Sequence, residues 1–410
     1  MSEKKLHIAI ISTWYPSLAN ATGLFVRDQA DALIDAGNKV TVFMFQYYSL
    51  IAWLKKKLKG EPLSNWTKGK NFTPFAGNFV HFYPTRFSSN PIALQKKTFL
   101  KYVETSFASY ISRNGKPDVI HHHGIANYCY ITAHLSKVFN IPYVITEHSM
   151  FIDKIDHFNS YETKEERLEM IQKAAARITV SNFYKEFNEE LFHVPFIMIP
   201  NMINNDFSNT PLPVFPKNTK PFLFLNIGEL ARRKRQDILI EAFTMTFKGN
   251  TDVRLTIIGK GKLEDELKNL VVSLNMHEQI QFAGHRNQDE LIRIIDSSHV
   301  VVISSEKESF SMVAAEALFR GNPVLTTRCK GPEDFINEIN GMICELNSID
   351  DMQQKLFHIY NIYSSFNPLQ ISHNIKNQFS EAVIVAKLEA LYRKVISLSS
   401  LLPGKNNGNQ

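Results

Sequence analysis

Two glutamates eight residues apart, Glu308 and Glu316, stand where a continuous apolar run, residues 299–303, gives way to a helical pattern. Such a run is the signature of a strand buried in a parallel sheet, so the segment after it opens at the sheet's carboxyl edge, where open α/β sheets hold their ligands. Ser309 and Ser311 can cap the following helix, whose first N–H groups and positive dipole end favour a phosphate beside the carboxylates. Sugar or ribose hydroxyls need acceptors, and a pyrophosphate needs donors. This turn offers both, which points to a nucleotide-sugar ligand. The plain alternative is a solvated acidic pair at a helix start, where acids are favoured anyway, and taken alone the pair leaves that alternative ahead.

A second loop of the same kind carries cations. Arg232, Arg233, Lys234 and Arg235 follow Gly228 at the end of another strand and precede a helix starting near Asp237. A solvated basic run or a nucleic-acid patch is the competing reading. His121 and His123 would share one face of a strand, but no third ligand lies at a spacing that would make them a metal site. His148 closes a further strand. Gly23, between the first strand and the first helix, lets backbone approach a phosphate closely, with a plain turn as the alternative. Gly259 and Gly261 lack the rest of a dinucleotide fingerprint. Residues 47–59 join an aromatic, apolar stretch to Lys55, Lys56, Lys57 and Lys59. Such a helix can lie at an anionic membrane surface, where each lysine contributes about 1 kcal/mol, or simply expose a basic face.

These groups need a scaffold of alternating strands and helices, and the chain supplies one. Apolar runs at residues 6–12, 39–45, 118–121, 142–146, 177–181 and 196–200 alternate with helical patterns; a polar, proline-rich stretch at 204–221 reads as a linker; a second βα series runs from Phe222 to Thr327. Strand–helix alternation implies largely parallel sheets. The expected fold is α/β, with two facing Rossmann-like domains and a cleft between them: residues 1–205, residues 206–380, and a terminal helix over 381–400 packing back on the first domain. The length of 410 residues suits two domains. Composition is that of a globular protein, 44% apolar and 21% charged, and the net charge of +6 favours anionic partners without marking a nucleic-acid binder. The three cysteines show neither a disulfide framework nor zinc spacing, which fits a reducing cytoplasm. No secretory signal pattern and no membrane-spanning run is expected.

In order and spacing the features resemble the retaining glycosyltransferases of family 4, which have the GT-B fold. The likeness covers nearly the whole chain and rests on Gly23, His121 to Gly124, Glu147 with His148, Ser181, Asn201, Gly228 through Lys234, Gly259 with Gly261, Gly284, the Glu308/Glu316 pair and Gly331 to Glu333. Within that family the chain is most similar to bacterial enzymes that build exopolysaccharide, capsule or lipopolysaccharide. The resemblance implies transfer of a hexose-type sugar from a nucleoside diphosphate donor to a glycan or polyprenyl-linked acceptor, with retention. His148, Lys234 and Glu308 would be catalytic. Gly23, Gly228, Arg233, Ser309, Phe310, Ser311 and Glu316 would join Lys234 and Glu308 in holding the donor, and His121 and His123 would lie on the acceptor side. The arginine common after the family's glycine is Glu229 here, so Arg233 or Arg232 would supply that charge. No Asp-x-Asp motif occurs; no metal and no cofactor is expected, and Lys234 with the helix N-terminus would do a metal's work. The expected place is the cytoplasm, peripheral on the inner face of the plasma membrane. A sugar-nucleotide epimerase of the same fold and a non-catalytic nucleotide- or glycan-binding protein are the alternatives.

Overall fold

In the computed structural model, which describes residues 4–12, 15–16, 23–60, 68, 75–81, 91–125, 129–148, 163–214 and 220–401, the chain divides into two compact units. The first runs to Val180 and adds Tyr184–Met202 and the chain from Ile384 onward; the second holds Ser181–Phe183 and Ile203–Val383.

The first unit is built on β1 (His7–Ser12), β2 (Lys39–Ser49), β3 (Phe75–His81), β4 (Val119–His123), β5 (Tyr143–Glu147), β6 (Ala176–Thr179) and β7 (Ile197–Met198). They form one sheet in the order β3-β2-β1-β4-β5-β6-β7, every pair parallel. Alternate residues of β1 face opposite layers: Ile8 and Ile10 pack with Leu33 and Val42, Ala9 and Ile11 with Phe43, Phe107 and Ile145. The terminal helix Glu381–Leu401 completes the first of these layers, inserting Leu388, Tyr392 and Val395 at helical spacing. Asn38 fixes its position by donating to Glu389 Oε1 at 2.6 Å, and Arg393 donates to the Lys4 carbonyl at 2.8 Å.

The second unit holds β8 (Phe222–Ile227), β9 (Val253–Ile258), β10 (Ile280–Gly284), β11 (Val300–Ile303), β12 (Val324–Thr327) and β13 (Gly341–Cys344) in the parallel order β10-β9-β8-β11-β12-β13. Phe224, Leu255, Ile257, Val300, Val302 and Leu325 supply its strand-side core against Leu239, Phe243 and Leu356.

The expected linker is partly structured. Asn204 caps a short helix, Asn205–Asn209, by accepting the Asp206 N–H at 2.8 Å. Arg320 holds the end of that helix through the carbonyls of Phe207, Thr210 and Pro211. Residues 215–219 of the linker, residues 17–22 before Gly23 and the tail 403–410 lie outside the described residues. The lysine-rich segment is a strand to Ser49 and then a helix, Leu50–Leu58, on which Leu58 is 85% exposed beside exposed Lys55, Lys57 and Lys59. Among the described residues no helix is long and apolar enough to cross a membrane.

Candidate active site

The strand order of the second unit's parallel sheet reverses between β8 and β11, and the loops leaving those neighbours carry Lys234 and Glu308. That is the switch point at which an open α/β sheet leaves a crevice at its carboxyl ends. The loop after β8 is pressed onto the end of β9 by two glycines. A Cβ on Gly259, whose φ is 145°, would stand 1.8 Å from the Gly228 carbonyl oxygen, and one on Gly261 would stand 2.2 Å from that of Leu230. Only glycine permits this approach, so Gly259 and Gly261 serve the cationic loop and are not a dinucleotide fingerprint. The Gly228 N–H donates to Ile258 and the Leu230 N–H to Lys260, which completes the seam.

The loop then tightens into a turn at Arg232–Lys234 and is tied at Arg235, φ 47°, by ion pairs to Asp237 at 3.0 Å and Glu306 at 3.2 Å and a hydrogen bond to Asn347. Ser304 Oγ donates to the Lys234 carbonyl at 2.7 Å and the Glu306 N–H to the Arg233 carbonyl at 2.9 Å, locking this loop to the one after β11. Lys234 is thereby aimed at Glu308: Nζ donates to Oε1 at 2.5 Å, with both side chains less than one-fifth exposed. Ser305 Oγ donates to the same oxygen at 2.6 Å. Arg233 turns outward and pairs with exposed Glu229 at 2.9 Å, while Arg232 is exposed. The cation at 233 therefore neutralises the glutamate that stands in the arginine's place.

Glu308 is clamped by the strand-like segment after β12. Its N–H donates to the Cys329 carbonyl at 2.7 Å, and the Gly331 N–H donates to its carbonyl at 3.0 Å. A Cβ on Gly331 would lie 2.6 Å from the Ser309 carbonyl. Two expectations need correction here. Ser311 occupies the N-cap of helix Met312–Phe319, but at φ 72° and ψ 82° its side chain makes no capping hydrogen bond, because a hydroxyl reaches the N2 or N3 N–H only from an extended N-cap backbone. Phe310 is buried against Phe335 and Phe379, with ring centroids 5.3 and 5.1 Å away; its ring anchors the loop in the core, and only its backbone remains for a ligand. Ser309 and Glu316 are partly buried, Glu316 at the fifth position of the helix.

In the first unit, Gly23 takes φ 87° at the N-cap of helix Leu24–Asp35, a conformation suited to glycine. His121 and His123 do share a strand face, with ring centroids 4.1 Å apart, but both are fully buried. This corrects their placement as acceptor contacts: β4 is central in the sheet, and both its faces are covered. Gln29 Nε2 reaches His121 Nδ1 at 3.2 Å and His123 Nε2 at 3.4 Å. Since an amide nitrogen only donates, those ring atoms accept. His121 Nε2–H then donates to Thr146 at 2.7 Å, and the Tyr392 hydroxyl donates to His121 Nδ1 at 2.6 Å. His123 Nδ1–H donates to His148 Nε2 at 2.8 Å, and His148 Nδ1–H donates to Asn201 Oδ1 at 3.1 Å. Both ring nitrogens of partly buried His148 are thus engaged, and its face stacks on Phe25 at 4.1 Å. Among the described residues no three His, Cys, Asp or Glu side chains form a group that could hold a metal ion.

Burial drives all three histidines toward the neutral form: His121 and His123 well below the usual 6.5, and His148 down to about 3. Unfolded, each takes up a proton near pH 6.5 while the folded chain does not. Their contribution to stability is therefore full above that pH and is lost as the pH falls toward the folded values. The melting temperature of the first unit should drop between pH 7 and pH 5, with a slope of up to about 1.4 kcal/mol per pH unit for each histidine, and His123→Gln should flatten it. A transition independent of pH over that range contradicts the assignment.

Comparison with known proteins bears on the family and the fold. Residues 22–207 match Glycosyltransferase Family 4, and residues 211–365 match Glycosyl transferases group 1. An uncharacterized glycosyltransferase of Methanocaldococcus jannaschii is 28% identical over 246 residues, 60% of this chain and 66% of that protein. The chain spans less than two thirds of the length of the first curated relatives it matches. Sucrose-phosphate synthase from Thermosynechococcus elongatus superposes with a TM-score of 0.70 at 18% identity, over 96% of this chain and 100% of that one. Anabaena HepE in complex with UDP does so with a TM-score of 0.68 at 15% identity, over 97% and 100%. At these identities the structural matches show the fold.

Proposed function

The chain belongs to the family 4 glycosyltransferases of GT-B fold, and on that footing we propose that it transfers a hexose-type sugar, with retention, from a nucleoside diphosphate donor to a glycan or lipid-linked acceptor in cell-surface polysaccharide synthesis. The observation that carries this reading is the Lys234–Glu308 pair, 2.5 Å from Nζ to Oε1, at the switch point of the second sheet. A diphosphate entering beside it meets an ammonium already aimed and partly desolvated. That ammonium offsets the charge that grows on the leaving phosphate as the bond to the sugar breaks, a form of stabilisation that needs no reorganisation at the moment of reaction. Glu308 orients the lysine and keeps one oxygen for a donor hydroxyl, and Glu316 supplies the acceptor for ribose hydroxyls. His148, neutral at working pH, would hydrogen-bond the donor only by giving up its bond to His123 or to Asn201. The basic helix Leu50–Leu58, with exposed Leu54 and Leu58, suits contact with an anionic bilayer at the cytoplasmic face when the acceptor is lipid-linked.

Calorimetric titration of the protein with UDP, GDP, ADP and CDP tests the reading. One nucleotide should bind, and Glu316→Ala should weaken it at least about tenfold, as expected for loss of charge-assisted hydrogen bonds to a ribose. Absence of binding by all four would remove the donor site.

A further inference from the structure

The first two residues after β11, Ser304 and Ser305, are both buried and both donate a hydroxyl, but to different members of the Lys234–Glu308 pair. Successive side chains of an extended chain point to opposite sides. Ser304 reaches across to the loop after β8, where its Oγ–H meets the Lys234 carbonyl at 2.7 Å. Ser305 stays on its own loop and gives its Oγ–H to Glu308 Oε1 at 2.6 Å. Ser305 is itself fixed from the neighbouring strand: Thr327, buried at the end of β12, donates Oγ1–H to its carbonyl at 2.5 Å.

Glu308 Oε1 takes both Lys234 Nζ and the Ser305 hydroxyl, while Oε2 makes no hydrogen bond among the described residues. A carboxylate oxygen already filled by two donors has little left for a ligand hydroxyl, so the rotation of the carboxyl group decides which oxygen a ligand meets. Lys234 alone does not fix that rotation, because an ammonium is a point charge with three rotatable donors and follows either oxygen. A short hydroxyl held at a strand end does fix it. Resting on the donor site proposed above, we propose that the two serines are positioning residues with divided tasks: Ser304 holds Lys234 in place for the diphosphate, and Ser305 turns Glu308 so that Oε2 receives a hydroxyl of the transferred sugar. The division follows from what each one touches. Ser304 acts on the backbone of the lysine and is backed by the Glu306 N–H on the Arg233 carbonyl, so its removal loosens that loop without freeing it. Ser305 acts on the carboxylate directly, and among the described residues only Lys234 shares that oxygen with it.

The test is calorimetric titration of the protein with UDP, GDP, ADP and CDP and then, for the base that binds, with its glucose, galactose, mannose and N-acetylglucosamine conjugates. Ser304→Ala should weaken nucleoside diphosphate and sugar nucleotide alike, about fivefold, the worth of one neutral hydrogen bond. Ser305→Ala should leave the nucleoside diphosphate within about threefold and weaken the best sugar nucleotide about tenfold, the worth of a hydrogen bond to a charged group. In a Glu308→Ala background the same substitution should change neither affinity, since the oxygen it orients is gone. Retained nucleoside diphosphate affinity shows that Ser305→Ala is folded, and a merely structural role would move both ligands together. An equal loss for both ligands in Ser305→Ala, no loss for either, or a loss that persists without the Glu308 carboxylate would overturn the positioning role and leave the donor site standing. Absence of binding by all four nucleoside diphosphates would overturn both.

Discussion

Lys234→Ala should lower turnover about 100- to 1,000-fold, the usual effect of removing one group that stabilises developing charge. The variant also leaves Glu308, only 13% exposed, without its ion-pair partner. Its carboxylate then repels the incoming diphosphate, so affinity for the nucleotide falls together with the rate. The two effects can be separated at Glu308. Glu308→Gln keeps the shape of the side chain and an oxygen for the Ser305 hydroxyl, but carries no charge. Added to Lys234→Ala, it should restore much of the nucleotide affinity and none of the rate, a non-additivity that only neighbouring groups in one site produce. Lys234→Ala with turnover within threefold of the parent would exclude the lysine from the reaction, whatever it does for binding.

What could be read in the residues and what could not divides along physical lines. The apolar runs of β1 and β11 are buried along almost their whole length and announce themselves by hydrophobicity alone. By contrast β3 is interrupted by Gly77 and Asn78, and β13 is four residues opening on Gly341. Their place comes from pairing with a neighbouring strand, which no local pattern contains. At the site, Lys234 and Glu308 were legible as separate loops after separate strands, 74 residues apart. That they touch follows from β8 and β11 being neighbours, a fact of topology.

Other roles were hidden for different reasons. Phe310 lies among polar residues yet belongs to a cluster with Phe335 and Phe379, contacts made only once the chain has folded. His121 and His123 carry the residue type of a functional site but occupy the middle of a sheet, where Gln29, Thr146 and Tyr392 satisfy them. The backbone of Lys330, at φ 82°, was missed because a backbone angle leaves no mark on residue type. A glycine-like conformation held by a lysine cannot be seen in a sequence where the next residue, Gly331, accounts for the turn. Gln29 was the remaining omission: a polar residue within an apolar helix face, 8% exposed, which was itself a signal that a buried partner had to exist.

Arg320 gives the largest expected effect on stability. Its side chain is wholly buried, Nε and Nη2 pair with Asp296 at 2.7 Å each, and Nη1 and Nη2 reach the carbonyls of Phe207, Thr210 and Pro211. A guanidinium can serve a carboxylate and three carbonyls at once because its donors form a planar fork; a lysine ammonium cannot. Arg320→Leu strands a mostly buried carboxylate and three carbonyls together, a loss of about 3–5 kcal/mol, and Arg320→Lys should recover little of it. The damage should stay in the second unit, which the sequence makes testable. All three tryptophans, Trp14, Trp53 and Trp66, precede residue 180 in the sequence, outside the stretch Ile203–Val383 that makes up most of the second unit. Tryptophan fluorescence should therefore keep its urea midpoint in Arg320→Leu while amide exchange over residues 222–379 accelerates. An unchanged exchange rate there would mean that the carboxylate and the carbonyls find other partners, and that the buried arginine is not what holds the start of the second unit to its core.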